Sequence, residues 1–395
     1  MKRILFVDDE PSILDALQNL LRRERKRWDM VFALGGDKAL EAMAVAPFDV
    51  VMSDMRMPGM DGAELLTRVR ELYPATARFV LSGQSGREAV VRALGVTHQF
   101  LSKPCEVEVL RGVVERACES NDELGDELLR RVVGRLECLP SVPSVYAELR
   151  EALAREDVGV QVLASIVERD PALSLKCLQL VNSAYFGLAR PTASVARAVS
   201  FLGAELLSSL ADKTGVFAPF SPTQSDAFSI EAFQRKSLAV AKLAARLVPE
   251  RSLVDEAAAA GMLLDVGELV IAVGLPDAWS SISRWRAGGD VPEAADRRVL
   301  AVSHSEVGVY LLGLWGLPRA IIQPVAEHHA GPPIPGAPGA RPVEASTSPA
   351  VVRAVRLADR LVREACGEQV EMDEDLAAIA DQWREEAQRL VSGPV

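Results

Sequence analysis

The sequence is poor in the residues that most often carry chemistry. Among its 395 residues there are four histidines and five cysteines, and aromatics make up only 5%. Cys105, Cys118, Cys138, Cys177 and Cys366 are scattered without CxxC spacing. That pattern excludes a disulfide framework or a thiolate zinc site and fits reduced thiols in a cytosol. An excess of positive charge is also missing: the net charge is −11, which opposes a large electrostatic footprint for nucleic acid. Long hydrophobic runs are lacking too. The N-terminal MKRILFVDDE meets Asp8 too soon for a signal-peptide core, and no stretch reads as apolar for long enough to span a bilayer. The expectation is a cytosolic protein that engages neither membrane nor nucleic acid. The 49% hydrophobic content with few aromatics predicts aliphatic, Ala-rich cores, and the length predicts two or three domains.

What is present begins with alternation. Over the first 120 residues or so, strand-like runs at 3–7, 30–33, 49–52, 78–81 and 99–101 alternate with helix-like segments at 11–25, 37–46, 61–72 and 87–94. This rhythm predicts an α/β domain with a flavodoxin-like five-stranded parallel sheet. From about Leu139 strand signals vanish. Helical periodicity covers 144–154, 161–168, 173–181, 194–202, 231–247, 254–273, 303–314, 319–328, 350–364 and 373–390, so the second half reads as all-α. Asp170-Pro171 is a helix start, with Asp as cap and Pro in the first turn. Between the halves a helical segment runs from near Pro104 to Leu136. Its charged flanks fit an amphipathic connector, and also a helix that pairs across a dimer. The resulting division is 1–118, a linker at 119–135, and 136–395, with a Pro/Gly/Ser-rich solvated loop at 331–349.

The chemistry in the first half lies at strand ends. VVMSDMRMPGMDG, residues 50–62, places Asp54 where a buried strand breaks into a Pro/Gly turn. Open α/β sheets build their sites at this carboxyl edge. Asp8-Asp9, Ser82 and Lys103 follow three other strands. Adjacent acids suit Mg²⁺, and phosphoryl transfer needs mainly positioning and charge neutralisation. Each element alone has a plainer reading, as a helix cap or a surface lysine; together they suggest a carboxylate that accepts a phosphoryl group.

FVDDEPSIL, SDMRMPGMDG, LSG and QFLSKP closely resemble the receiver domain of two-component response regulators. The resemblance covers Met1 to about Cys118. It implies Asp54 as phosphoacceptor, with Asp8, Asp9, Asp54 and the backbone carbonyl of Arg56 holding Mg²⁺. Ser82 would contact the phosphoryl group and Lys103 would pair with it. Phe100 matches the aromatic switch position and equally fits a core aromatic. A cis Lys103–Pro104 bond and a sensor histidine kinase as donor are further implications.

VERDPALSLKCLQLVNSAYFGLARPTASVARAVSFLG at 167–203, with GMLLDVGELV, HSEVGVYLL and WGLPRAI, resembles the HDOD domain, a bacterial signalling module. HDOD domains are similar to HD-type metal phosphohydrolases, whose ligands are His, His-Asp and a later Asp. Here those positions hold Lys236, Leu264, Asp265 and Asp359. Leu cannot ligate a metal, and Lys is a cation at neutral pH, so this degenerate site predicts a non-enzymatic output that docks an unidentified signalling protein or a second copy of the chain. The receiver would catalyse only its own phosphoryl transfer and dephosphorylation. Lys236 either pairs with Asp265 and Asp359 in the metal's place or is a surface residue. His328-His329 either cap a helix end or bind a metal with His304. A weak metal-dependent cyclic-nucleotide phosphodiesterase is the alternative output, and a DNA-binding regulator a second rival, opposed by the acidic charge.

Overall fold

The computed structural model describes every residue except 84–92, 94, 125, 137, 156, 184, 185, 187, 189, 214–216, 222–226, 330–347, 373, 394 and 395. The expected helix at 87–94 and the loop at 331–349 lie almost wholly outside the described residues.

Five parallel strands form the first half: β1 (Lys2–Asp8), β2 (Trp28–Leu34), β3 (Val50–Asp54), β4 (Ala77–Ser82) and β5 (Gln99–Ser102), in the order β2-β1-β3-β4-β5. Ile4, Leu5, Phe6, Val50, Val51, Met52, Phe79 and Val80 are completely buried. Near-continuous apolar runs are what a sheet covered on both faces requires. The helices are α1 (Pro11–Leu20), α2 (Gly36–Val45), α3 (Gly62–Leu72) and α4 (Val107–Glu123). The periodicity expected to continue to residue 25 ends sooner, because a 3₁₀ stretch, Arg22–Lys26, follows α1.

The connector is not one helix. After α4 the chain restarts as α5 (Glu127–Arg135), capped by Asp126, whose side chain accepts from Leu129 N at 3.1 Å. A side-chain cap satisfies an orphan amide and favours a new start over a continuation.

The second half contains α6 (Pro143–Leu153), α7 (Val160–Val167), α8 (Pro171–Asn182), α9 (Val195–Lys213), α10 (Ile230–Leu247), α11 (Val254–Met262), α12 (Val266–Gly274), α13 (Pro276–Ala287), α14 (Pro292–Leu300), α15 (His304–Leu314), α16 (Arg319–Glu327), α17 (Pro349–Ala365), α18 (Glu374–Ala380) and α19 (Arg384–Ser392). It is not purely helical: Pro140–Ser141 and Ala218–Pro219 form a short parallel pair. Asp170 caps α8 as its sequence predicts, accepting from Leu173 N at 2.9 Å, and it also accepts from Val142 N at 2.7 Å.

One expectation is corrected here. Residues Arg251–Gly274 do reach the length and hydropathy of a bilayer span. Yet 83% of that window is buried inside the protein, and the run is broken between α11 and α12. The break has a purpose for the site, because it turns Asp265 inward, 3% exposed.

The two halves pack directly on each other. α4 lies on α15. Gln99 on the edge strand β5 donates through Nε2 to Leu314 O at 3.0 Å, and Gln179 on α8 donates to His98 O at 3.0 Å. Arg78, at 1% exposure, donates to Val96 O at 2.7 Å and, across the junction, to Gly134 O at 2.6 Å. A Cβ on Gly134 would sit 1.7 Å from Pro74 O, so only glycine permits this approach.

Candidate functional site

The receiver-like site is built at the carboxyl ends of β1, β3 and β5. Lys103 lies just beyond β5, at a cis Lys103–Pro104 bond. Its Nζ donates to Asp8 Oδ2 at 2.6 Å and to Asp54 Oδ1. Burial lowers the Lys103 pKa, but the hydrogen bonds and charges of Asp54 and Asp8 outweigh it and hold the ammonium above its ordinary value. Asp54 Oδ2 accepts from Arg56 N at 2.5 Å, and Asp8 Oδ1 accepts from Glu10 N at 3.0 Å. Asp9 follows at the half-buried rim, and Phe100 is packed inside at 4% exposure. Ser82 ends β4 beside β3 and pairs in register with Ser102; its hydroxyl lies outside the described part of the structure. The turn from Asp54 to α3 folds back so closely that a Cβ on Gly62 would sit 2.2 Å from Asp54 O. Asp54 therefore faces outward over a fixed backbone, with one side open to solvent.

The second site is closed. α10 carries Lys236, the α11–α12 break carries Asp265, and α17 carries Asp359. Lys236 Nζ is 2.8 Å from Asp265 Oδ2 and 3.9 Å from Asp359 Oδ1, and the two acids are 3% and 1% exposed. Leu264 is buried in the core at 1%. Burial alone would raise the Asp265 carboxyl; Lys236 beside it, with the imidazoles of His304 and His328 nearby, holds it well below the usual range. For Asp359 burial wins, and its pKa is raised despite Lys236. Arg363, one helical turn on, stands 3.8 Å away. Lys236 thus serves Asp265 first.

Three histidines close around Asp265. His304 is the first residue of α15, whose capping box joins Ser303 and Glu306. His328 caps the end of α16, and His329 follows. One ligand atom from each of Asp265, His304, His328 and His329 lies within 4.8 Å of the others. Behind them, Asp296 holds His304 Nδ1 at 2.5 Å and accepts from His304 N at 2.9 Å, while Arg286 donates to Asp296 at 2.8 Å and to Glu268 at 2.5 Å. Burial would lower the His304 pKa, but Asp265 and Asp296 raise it to about 10.

Sequence reasoning named Lys236, Asp265, Asp359 and the three histidines but missed Asp296, Arg286 and Glu268. No local motif marks these; α13 and α14, which carry Arg286 and Asp296, were themselves overlooked. Those helices have few apolar residues, and their only clear starts are Pro276 and Pro292 in the first turn. The Arg78–His98 pair was also missed. Burial pushes the Arg78 guanidinium down to about 9 and the His98 imidazole well below its ordinary value, so a neutral histidine faces a charged arginine at neutral pH.

Two family profiles match separate parts of the chain. The family profile of the response regulator receiver domain matches residues 4–115, and that of the HDOD domain matches residues 139–331. The chain is a response regulator composed of a receiver domain and an HDOD domain. Among solved structures, the MmoQ response regulator from Methylococcus capsulatus has a TM-score of 0.50 at 24% identity, covering 65% of this chain and 98% of that one. A virulence factor from Campylobacter jejuni has a TM-score of 0.50 at 17% identity, covering 69% and 100%. Both are likenesses of fold. Among curated relatives, an uncharacterized protein of Treponema pallidum is 25% identical over 58% of this chain and 44% of its own length. The transcriptional regulatory protein ZraR of Salmonella typhimurium is 32% identical over 38% of this chain and 33% of its own. The chain thus spans less than half of either relative.

Proposed function

We propose that Asp54 accepts a phosphoryl group from a sensor histidine kinase in the cytoplasm, and that the HDOD domain reports this state non-catalytically by docking a protein partner. A carboxylate oxygen of Asp54 would attack the phosphorus of phosphohistidine. The P–N bond breaks, the imidazole leaves, and an aspartyl phosphate forms. The observation that carries the reading is the gathering of Asp8, Asp54 and Lys103 at adjacent strand ends. Receiver domains generally use Mg²⁺ at this position. The donor set fits: hard carboxylate oxygens on one open rim, with Asp8, Asp9, Asp54 and the Arg56 carbonyl as holders. The ion would supply neutralising charge to the incoming phosphoryl oxygens. Lys103 stays paired with Asp54 and follows its charge.

The route outward is short. Lys103 is four residues from Gln99, and the start of β5 contacts the HDOD domain at Gln99 and at His98 just before it. A shift of β5 that accompanies phosphorylation would therefore bear on α8 and α15 directly, as well as through the broken connector. Two populations of this junction would be biased by the charge at Asp54.

The test uses the full chain with acetyl phosphate and Mg²⁺. Wild type should gain one phosphoryl group per chain that base or hydroxylamine releases, and Asp54→Ala none. Beryllofluoride should change amide exchange at 98–103 and in α15 of wild type but not of Asp54→Ala. Labelling that persists in Asp54→Ala removes the acceptor; unchanged exchange removes the coupling. The alternative, phosphodiesterase activity in the HDOD half, is opposed by Lys236 and Leu264 at two expected ligand positions. Cyclic-nucleotide turnover lost in Asp265→Asn would favour it.

A further inference from the structure

The cluster around Asp265 has a chemical peculiarity independent of the receiver reading. Four atoms able to ligate a metal converge there, one each from Asp265, His304, His328 and His329. His328 Nδ1 lies 2.8 Å from Val325 O, so the proton sits on Nδ1 and Nε2 carries the lone pair. That Nε2 has no hydrogen-bond partner among the described residues, and His328 is fully buried. Asp265 Oδ1 is likewise without a hydrogen-bond partner, while its Oδ2 is held by Lys236 on the other side. His304 has its Nδ1 against Asp296, which leaves Nε2 aimed inward, 3.4 Å from Asp265 Oδ1. His329 Nε2 lies 3.2 Å from His304 Nε2. A proton on His304 can serve only one of these contacts and leaves His328 Nε2 still facing a carboxylate oxygen at 3.7 Å. Buried acceptors left facing one another are costly.

We propose that Asp265 Oδ1, His304 Nε2, His328 Nε2 and His329 Nε2 form a tetrahedral site for one divalent transition-metal ion of the zinc class. Metal–ligand bonds of about 2.0–2.1 Å put the ligands of a tetrahedral ion about 3.3–3.4 Å apart. Three of the six ligand pairs, at 3.2, 3.4 and 3.7 Å, bracket that edge, and all six lie within 4.8 Å. Three imidazoles and one carboxylate suit Zn²⁺ or a neighbouring ion and not Mg²⁺. The outer shell is in place: a carboxylate orients His304 and a backbone carbonyl orients His328, the arrangement that fixes ligating imidazoles.

This set is not the one that the HD-type resemblance implied. Of Lys236, Leu264, Asp265 and Asp359, only Asp265 takes part. Lys236 occupies the far side of that carboxylate and excludes a second ion there. With four protein ligands and no open position, the ion would tie three chain segments together: the α11–α12 break, the start of α15 and the end of α16.

The experiment loads the purified full chain with Zn²⁺, desalts it, and counts retained ions by mass spectrometry. Cobalt(II) loading in parallel reports geometry by its visible absorption. Wild type and Asp54→Ala should each retain one ion per chain, and cobalt(II) should give the intense bands of a tetrahedral site. His328→Ala should lower retention at least tenfold. Because His328 is buried, the half-exposed His329→Gln serves as a second variant, with its fold checked by circular dichroism; it should weaken binding and change the cobalt spectrum. A wild-type chain that retains no ion overturns the proposal, as does full retention in both histidine variants. Neither result bears on labelling at Asp54, so the two readings fail separately.

Discussion

Each half of this protein sets a lysine between two aspartates. In the receiver domain Lys103 joins Asp8 and Asp54; in the HDOD domain Lys236 joins Asp265 and Asp359. The chemistry of the two triads is the same, but their surroundings differ. Asp54 is 12% exposed at a strand end and opens toward solvent, whereas Asp265 and Asp359 are 3% and 1% exposed among packed helices. Asp8 is as buried as Asp265, and the two lysines are similarly covered, so the contrast rests on Asp54, which alone among the four acids reaches solvent. Where both acids are buried the triad is locked, because removing either charge strands the other in a medium of low dielectric. Access at Asp54, and not residue identity, separates the two triads.

The sharpest way to break that comparison is to remove each lysine. Lys236→Met should destabilise the HDOD domain by about 3–5 kcal/mol, the typical cost of uncompensated buried charge. Lys103→Met should cost the receiver domain less than that, because Asp54 reaches solvent, while impairing phosphoryl transfer. Urea unfolding of both variants decides the matter; similar losses would mean that burial does not distinguish the triads. A double variant, Lys236→Met with Asp265→Asn, should recover part of the loss.

A second difference is titration. Burial pushes Asp170, the cap of α8, up to about 6, against the pull of the Leu173 and Val142 amides. A raised folded-state pKa means that the native protein binds more protons than the unfolded chain between about pH 4 and 6. The contribution of this group is therefore most favourable below about pH 4 and declines to its full cost above about pH 6. Relative to Asp170→Asn, wild type should lose about 2.4 kcal/mol of HDOD stability between pH 4 and pH 7. Denaturant midpoints at the two pH values measure it, and a difference that is constant with pH would refute it.

Much of this was legible in the sequence, and the limits are physical. The five strands are short apolar runs ended by polar turns, and Asp8, Asp54 and Lys103 announce themselves because parallel topology brings strand ends together. The Asp265 turn was hidden. GMLLDVGELV is apolar on every side, so periodicity runs through the break between α11 and α12 without registering it. The junction between domains was equally hidden. Arg78 and Gly134 are 56 residues apart, and nothing local to either names the other.

That junction supplies the two smaller effects. Gly134→Ala places a methyl against Pro74 O. Overpacking of this kind costs about 1–3 kcal/mol, and here it should loosen the domain contact without unfolding either half. Trypsin cleavage between the domains should quicken, and an unchanged digestion rate would mean that α5 shifts freely.

Gln99→Ala removes less. Its Nε2 donates to Leu314 O inside the interface, and its side chain lies against Gly316, whose φ of 74° and lack of a Cβ make room for it. A single amide hydrogen bond contributes about 1 kcal/mol. Neither domain's own core depends on it, so each half should keep its unfolding midpoint within error. What should change is communication. With the β5–α15 bond gone, beryllofluoride at Asp54 should still be bound, but the amide-exchange response in α15 should shrink. If α15 responds as strongly in Gln99→Ala as in wild type, the signal does not cross through this bond, and α4 packed on α15 is one of the routes left.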